Sequence, residues 1–73
     1  MTLLEKLKSI NNLDIGTHIK ITFSDGKEML GEYKGYTPPE DNEIYVPTID
    51  FLSEDGTWYE LEESEIILIK AMK

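Results

Sequence analysis

The chain contains no cysteine among its 73 residues. It can therefore form neither a disulfide nor a thiolate metal site, and apolar packing or self-association must stabilise the fold. Long apolar runs are also missing: the longest, 66–69, is far shorter than the roughly 20 residues of a transmembrane helix. Charged residues interrupt the leucines of residues 1–10, so these lack the core of a signal peptide. We expect one domain spanning residues 1–73, soluble and cytoplasmic, with no membrane partner.

Basic residues are scarce and unevenly placed. Fifteen acids oppose seven bases, all lysines, which gives a formal net charge of −8. Residues 1–39 carry five acids and five lysines, whereas residues 40–65, here called the acidic segment, carry ten acids and no base. Such a field repels phosphate backbones and attracts basic partners. The alternative is that the acids only keep a small protein soluble.

Residues 2–11 are predicted to form a short amphipathic helix. Thr2 and Glu5 have the spacing of a capping box, in which each side chain accepts from the other residue's backbone amide. Apolar residues then recur on one helical face, at Leu3, Leu4, Leu7 and Ile10. Asn11 and Asn12 are expected to end the helix. So short a helix is marginal alone in water and needs a sheet or a partner to pack against.

The first hairpin is predicted from alternating residues and a turn signal. Residues 18–24 alternate apolar and polar side chains, and Asp25 and Gly26 predict a two-residue turn with positive φ at both positions. The second strand is expected at 27–36, with Tyr33 toward the core and Tyr36 on the opposite face. Two glycines in this strand, Gly31 and Gly35, predict a bend, a bulge or a close backbone approach.

The acidic segment is predicted to form β-strands because its acids alternate with apolar residues. Pro47 lacks a backbone donor, which puts the start of the third strand at an edge or a bulge. A second turn is predicted at Asp55 and Gly56, and a single 3₁₀ turn at 62–65. The remaining three strands are predicted at residues 44–52, 57–61 and 66–72.

One helix followed by five short antiparallel strands, the second of them bent, is typical of a small SH3-like barrel over about residues 17–72. Residues 19–33 resemble the first signature of Sm-like proteins, an alternating strand, Asp-Gly and spaced apolar and glycine positions. The matching residues are Asp25, Gly26, Met29, Gly31 and Tyr33, with Tyr36 at the place of the usual aromatic. The resemblance implies a mainly β fold, a five-stranded antiparallel SH3-like or Sm-like barrel with one N-terminal helix.

The sequence departs from the RNA-binding members of that family. Thr37 stands where they have an aspartate, Asn42 falls one place late, and the acids of 62–65 replace the second signature. This pattern argues against nucleic acid as a partner, since its phosphates would meet uncompensated acids. A further resemblance, to small proteins of Firmicutes and their phages, rests on the Asp-Gly-Lys hairpin, the loop at 41–43, the Ile-Asp strand at 48–50 and the ending at 60–66. This resemblance implies the fold and a bacterial cytoplasm, and it gives no indication of a catalytic activity.

No catalytic or cofactor chemistry is indicated by the sequence. His18 is the single histidine and lies on the polar phase of its strand, which predicts an ordinary surface position. The glutamates of 62–65 lack the alternating spacing of a calcium loop. With so small a core to enclose a pocket, we expect a protein that is not an enzyme and has no cofactor and no metal site.

The strongest candidate site combines aromatic and acidic residues. Trp58 falls on the outward phase of its strand together with Glu60, whereas Tyr33, Phe51 and Tyr59 fall on the core phase. An outward tryptophan among tyrosines and acids is typical of a site for a basic peptide with an apolar tip. In the alternative, Trp58 packs beneath the helix or beneath the loop at 37–42, called the proline loop because it contains Pro38 and Pro39. The candidate binding residues are Trp58, Glu60, Tyr36, Tyr45, Glu54 and Asp55.

Three functions follow as hypotheses. The first is a non-catalytic module that binds a basic protein or peptide through an acidic face. The second is a phage-type inhibitor that mimics the charge of nucleic acid, and the third is an RNA-binding subunit of an Sm-like ring. The strand at 66–72 starts with apolar residues on both phases, so its outer side also predicts self-association.

Overall fold

The computed structural model describes residues 2–10 and 13–72, so the predicted helix end at Asn11 and Asn12 lies outside the described residues. The elements, in chain order, are helix α1 (Leu3–Lys8), strands β1 (His18–Phe23) and β2 (Glu28–Thr37), a 3₁₀ turn (Pro39–Asp41), strands β3 (Thr48–Ser53) and β4 (Trp58–Glu62), a second 3₁₀ turn (Glu63–Glu65) and strand β5 (Ile66–Ala71). The predicted capping box is present at the start of α1. The helix is shorter than predicted because it is capped at Ser9.

The five strands form one antiparallel sheet in the order β4-β3-β2-β1-β5. The predicted class, mainly β with one short N-terminal helix, is confirmed. The predicted barrel is not: the sheet is open, with β4 and β5 as its two edges. In the described part of the chain, no helix is long and apolar enough to cross a membrane.

The core lies between the inner face of the sheet and α1. The buried apolar side chains come from the helix and all five strands: Leu3, Leu7, Ile19, Ile21, Tyr33, Ile49, Phe51, Leu61, Ile66 and Ile69. Burying each such side chain contributes roughly 1.5–3 kcal/mol. Two hydrogen bonds fasten α1 to the far end of the chain: Leu3 N donates to Glu63 Oε2 at 2.6 Å, and Lys6 Nζ donates to Ile66 O at 3.3 Å.

Both hairpin turns have three-residue loops, and the predicted two-residue turn is wrong. At the first, Gly26 N donates to Phe23 O at 2.9 Å while Phe23 N donates to Lys27 O at 2.8 Å. Only Gly26 of the turn has positive φ, at 90°, which is the geometry of a type I turn followed by a glycine bulge. The second turn repeats this arrangement around Gly56, whose φ is 88°.

A bulge in β2 overturns the predicted orientation of Tyr36. Tyr33 lies opposite Phe51, but Gly35, two residues on, lies opposite Asp50, only one residue back along β3, so an extra residue is inserted between them. Because side chains alternate along a strand, one inserted residue exchanges the faces of everything beyond it. Tyr36 therefore lies opposite Ile49 and packs partly buried against the core.

Strand β3 begins later than predicted, at Thr48 instead of residue 44. The residues before it fold back as turns, with Tyr45 at a φ of 56°. Asn42 Nδ2 donates to the hydroxyl of Thr48 at 2.9 Å, which ties this loop over the start of the strand. Pro47 lies before β3, not within it; β3 is an interior strand, where a missing backbone donor would break the ladder.

Candidate partner-binding site

The outer face of β3 and β4 carries the predicted tryptophan and its acids. Trp58 lies opposite Leu52, and Glu60 lies opposite Asp50. Opposed side chains of an antiparallel pair lie about 4.5–5.5 Å apart at Cβ, so these four form one patch. Trp58 is 57% exposed, which confirms its outward orientation and shows that the alternative, cover by α1 or the proline loop, is wrong.

The turn between β3 and β4 adds two exposed acids, Glu54 and Asp55. Asp55 Oδ1 accepts the backbone amide of Thr57 at 3.0 Å and also the hydroxyl of Ser53. These hydrogen bonds lower the pKa of Asp55 below its usual value, and the one from Ser53 has the largest effect. Asp55 therefore keeps its negative charge through the whole physiological pH range, in a position that the turn fixes. We call Asp50, Glu54, Asp55, Trp58 and Glu60 the acidic face.

The two predicted tyrosines, Tyr36 and Tyr45, lie at different places relative to the acidic face. Tyr36 is on the inner side of the sheet, and burial, followed by the charges of Glu40 and Glu63, raises its pKa. Tyr45 is 78% exposed in the loop before β3. That loop contributes Ile44, exposed like Tyr45, to a depression that Glu60 also lines. Of the six candidate residues, Trp58, Glu60, Glu54 and Asp55 thus belong to the acidic face, and Tyr36 lies on the opposite side of the sheet.

Two lysines of the sheet, Lys20 and Lys34, are paired with acids outside the acidic segment. Lys20 Nζ lies 3.5 Å from Glu28 Oε2, and Lys34 Nζ lies 3.1 Å from Glu32 Oε1. Both pairs lie on β1 and β2. Neither pair includes a carboxylate of the acidic face, so these two lysines leave that face available to the cations of a partner.

A groove at the open side of the sheet was not predicted from the sequence. It measures about 320 Å³ and lies between the β1–β2 hairpin and β4. Its apolar lining consists of Phe23, Met29, Tyr59 and Leu61, and its polar rim of Ser24, Asp25, Lys27 and Glu65. We call it the seam groove. The ring of Tyr59 lies 6.5 Å from that of Phe51, centroid to centroid, so the groove floor continues into the core.

The alternation of apolar residues along the strands predicts only part of this groove. Alternation placed Phe23, Tyr59 and Leu61 on the inner phase, as the structure does. It could not show that the sheet stays open where these residues meet, since that depends on how far β4 lies from the hairpin. Asp50 was missed for a simpler reason: an acid on the outer phase is ordinary until its neighbours across the strands are known.

Nothing in the described residues 2–10 and 13–72 assembles three or more histidine, cysteine or acidic side chains into a metal-binding group. His18 is exposed at the start of β1, which confirms its predicted surface position. The acidic face and the seam groove offer carboxylates, an exposed indole and a partly buried apolar floor, which are groups common at protein interfaces.

Comparison of the chain with family models, with curated proteins and with solved structures found no match. The arrangement of its own residues is consequently the basis for inferring a function.

Proposed function

We propose that the protein is a non-catalytic interaction module that binds a basic protein segment through the acidic face. The observation that carries this proposal is the exposed Trp58 beside Leu52, with Glu60 and Asp50 in the adjacent cross-strand pair. We further propose that the open sheet is a member of the SH3-like or Sm-like class and acts in the bacterial cytoplasm. The order of its strands and the Asp-Gly hairpin support that classification.

Two kinds of contact would hold the partner. Exposed ion pairs are individually worth about 0–1 kcal/mol, so no single carboxylate of the face would supply the affinity. A lysine or arginine above the indole of Trp58 adds a cation–π contact of about 0.5–2 kcal/mol, and apolar contact with Leu52 adds to it. The summed negative charge then speeds association and makes it sensitive to salt.

A binding titration with matched charge changes tests the proposal. The probe is a synthetic lysine-rich peptide with one central phenylalanine. It is titrated into the protein, and its binding is measured by calorimetry at two salt concentrations. Glu60→Lys should weaken binding by about tenfold, equal to about 1.4 kcal/mol, and Trp58→Ala should weaken it at least as much. Glu40→Lys makes the same charge change at an exposed residue of the first 3₁₀ turn and should weaken binding much less.

Equal losses in Glu60→Lys and Glu40→Lys would contradict the proposal. Binding would then respond only to net charge, and the acids would serve solubility. Unchanged binding in Trp58→Ala would remove the indole from the site and with it the reason for choosing this face.

Self-association is a second candidate, and the edge strand β5 favours it. Ile67 and Leu68 are 55% and 51% exposed on this strand, and a second copy could cover them. An Sm-like ring would be one such assembly, and RNA its ligand by the family resemblance. Light scattering decides between the possibilities: a monomer at high micromolar concentration would exclude the ring, and a defined oligomer that Leu68→Lys dissociates would support it.

A further inference from the structure

The free edge of β4 presents backbone groups in a known pattern. Ser53 N donates to Thr57 O at 2.9 Å across the hairpin. In an antiparallel pair, hydrogen-bonded and non-hydrogen-bonded positions alternate, so the backbone groups of Tyr59 and Leu61 point toward β3. Those of Trp58 and Glu60 point away from it. Glu62 is the next residue whose backbone groups point away from β3. Its amide already donates to Glu65 Oε1 at 2.9 Å, so that end of the edge cannot pair with an added strand.

The same edge borders the seam groove. Tyr59 and Leu61 project from β4 into the groove, and Phe23 and Met29 line its other wall. These four side chains are partly or largely buried against the core, so the floor exists without a partner. A strand laid along the edge of β4 would direct every second side chain over this floor and the others to the outer face, beside Trp58 and Glu60.

We propose that the partner binds as a short extended strand added to the edge of β4, with apolar side chains in the seam groove and basic side chains beside Glu60. This inference rests on the proposed function and specifies the form of its ligand. The partner segment therefore alternates basic and apolar residues. Its length is about four to six residues, because Trp58 and Glu60 are the two residues of β4 with outward backbone groups and a strand rises about 3.3 Å per residue.

Charge decides the occupant. The outer side of the edge carries Glu60 and Glu62, and the groove rim carries Asp25 and Glu65 against one cation, Lys27. A strand with basic residues on its outer phase complements this surface. The β5 strand of a second copy would do so poorly, because within the described residues it offers only Lys70 as a base and has Ile66 and Ile69 buried in its own core. A basic peptide from another protein is the better match.

Methylation of the peptide backbone tests this inference. The probe is the capped hexapeptide acetyl-(Lys-Val)₃-amide, titrated into the intact protein and followed by the fluorescence of Trp58, the single tryptophan. Two derivatives carry N-methyl groups on all lysine amides or on all valine amides. In an added strand only one of these sets faces β4, so one derivative should bind at least about tenfold more weakly and the other within about threefold of the parent.

A sequence control separates strand addition from attraction by charge. The hexapeptide acetyl-(Lys)₃-(Val)₃-amide has the same composition without alternation, and it should bind at least about tenfold more weakly than the alternating one if the groove and the edge act together.

Each other outcome has a definite meaning. Equal binding by the parent and both methylated peptides overturns strand addition and leaves the acidic-face proposal standing. Absence of binding by every peptide overturns both. A stable oligomer that prevents the peptide from binding shows the edge of β4 occupied by a second copy and overturns the inference as well.

Discussion

Replacing Gly31 by alanine tests the packing on which the whole sheet depends. Gly31 lies in the interior of β2, opposite Ile19 on one side and Ser53 on the other. A Cβ atom built there lies 2.7 Å from Phe51 Cζ and 2.8 Å from Ser53 Cα, and closer still to the carbonyl oxygen of Leu52. Two of these atoms are backbone, so no rotamer change relieves the overlap. Strands β2 and β3 must separate to admit the methyl group.

The size of the effect follows from that geometry. Overpacking a core by a methyl group costs roughly 1–3 kcal/mol, and contact with backbone atoms puts Gly31→Ala near the upper end of this range. A domain of this size has a free energy of unfolding of roughly 4–11 kcal/mol. We therefore expect a loss of about 3 kcal/mol and a Tm lower by about 12–24 °C. Gly31→Val, with two further methyl groups, should leave the chain unfolded.

Urea denaturation followed by far-ultraviolet circular dichroism measures this loss; Trp58, being mostly exposed, is the less informative probe. Gly26→Ala is the matched control, because a Cβ at Gly26 meets nothing within 4 Å and only the positive φ of 90° opposes it. That control should cost about 1–2 kcal/mol, the penalty of an L-residue in the left-handed region. A change below about 0.5 kcal/mol in Gly31→Ala would refute the close-packing argument.

Three further substitutions test other parts of the fold. Glu63→Ala removes the carboxylate that accepts the backbone amide of Leu3, and it should cost about 1.5 kcal/mol and raise amide exchange throughout α1. Burial, followed by the charge of Asp50, raises the pKa of Tyr33, so the unfolded chain loses this proton first and stability should fall as pH rises from about 10. Tyr33→Phe should make that alkaline loss smaller in pH-dependent melting. Thr48→Val removes the acceptor of the Asn42 amide, and it should cost about 1 kcal/mol and speed proteolysis of the loop before β3.

Matched controls are present in the chain. Glu40→Ala, at an exposed residue, should change neither stability nor helix exchange. Tyr45→Phe, at the most exposed tyrosine, should leave the alkaline loss in place. Equal effects of control and test in any pair would contradict the contact assigned to the test residue.

Local patterns predicted what local chemistry decides. Alternation oriented Ile19, Ile21 and Trp58 correctly, and the Thr2 and Glu5 pair marked the start of α1. The glycine turns were located correctly, but their loop length was wrong, because Asp-Gly fits both a two-residue turn and a three-residue loop. The difference lies in which strand residues pair, and that is settled by packing.

Non-local packing explains the rest. The orientation of Tyr36 depended on a bulge whose position in β2 no alternation pattern marks. The late start of β3 depended on Asn42 reaching Thr48, six residues on, which frees Tyr45 from the strand. In the candidate site, the outward orientation of Trp58 and Glu60 follows from the alternation of one strand. The seam groove could not be predicted in this way, because it is formed by side chains from three strands and by an opening between them.

The attachment of α1 to the second 3₁₀ turn and the start of β5 sets an order of events during synthesis. The acceptors of Leu3 N and Lys6 Nζ lie 60 residues further along the chain. At about 5–20 residues per second, the ribosome adds that length in about 3–12 s. Until then α1 has its capping box but no surface to bury Leu3 and Leu7, and a helix of six residues is not stable alone. The hairpins can form as soon as their strands emerge, so the first element to be made is among the last to become ordered.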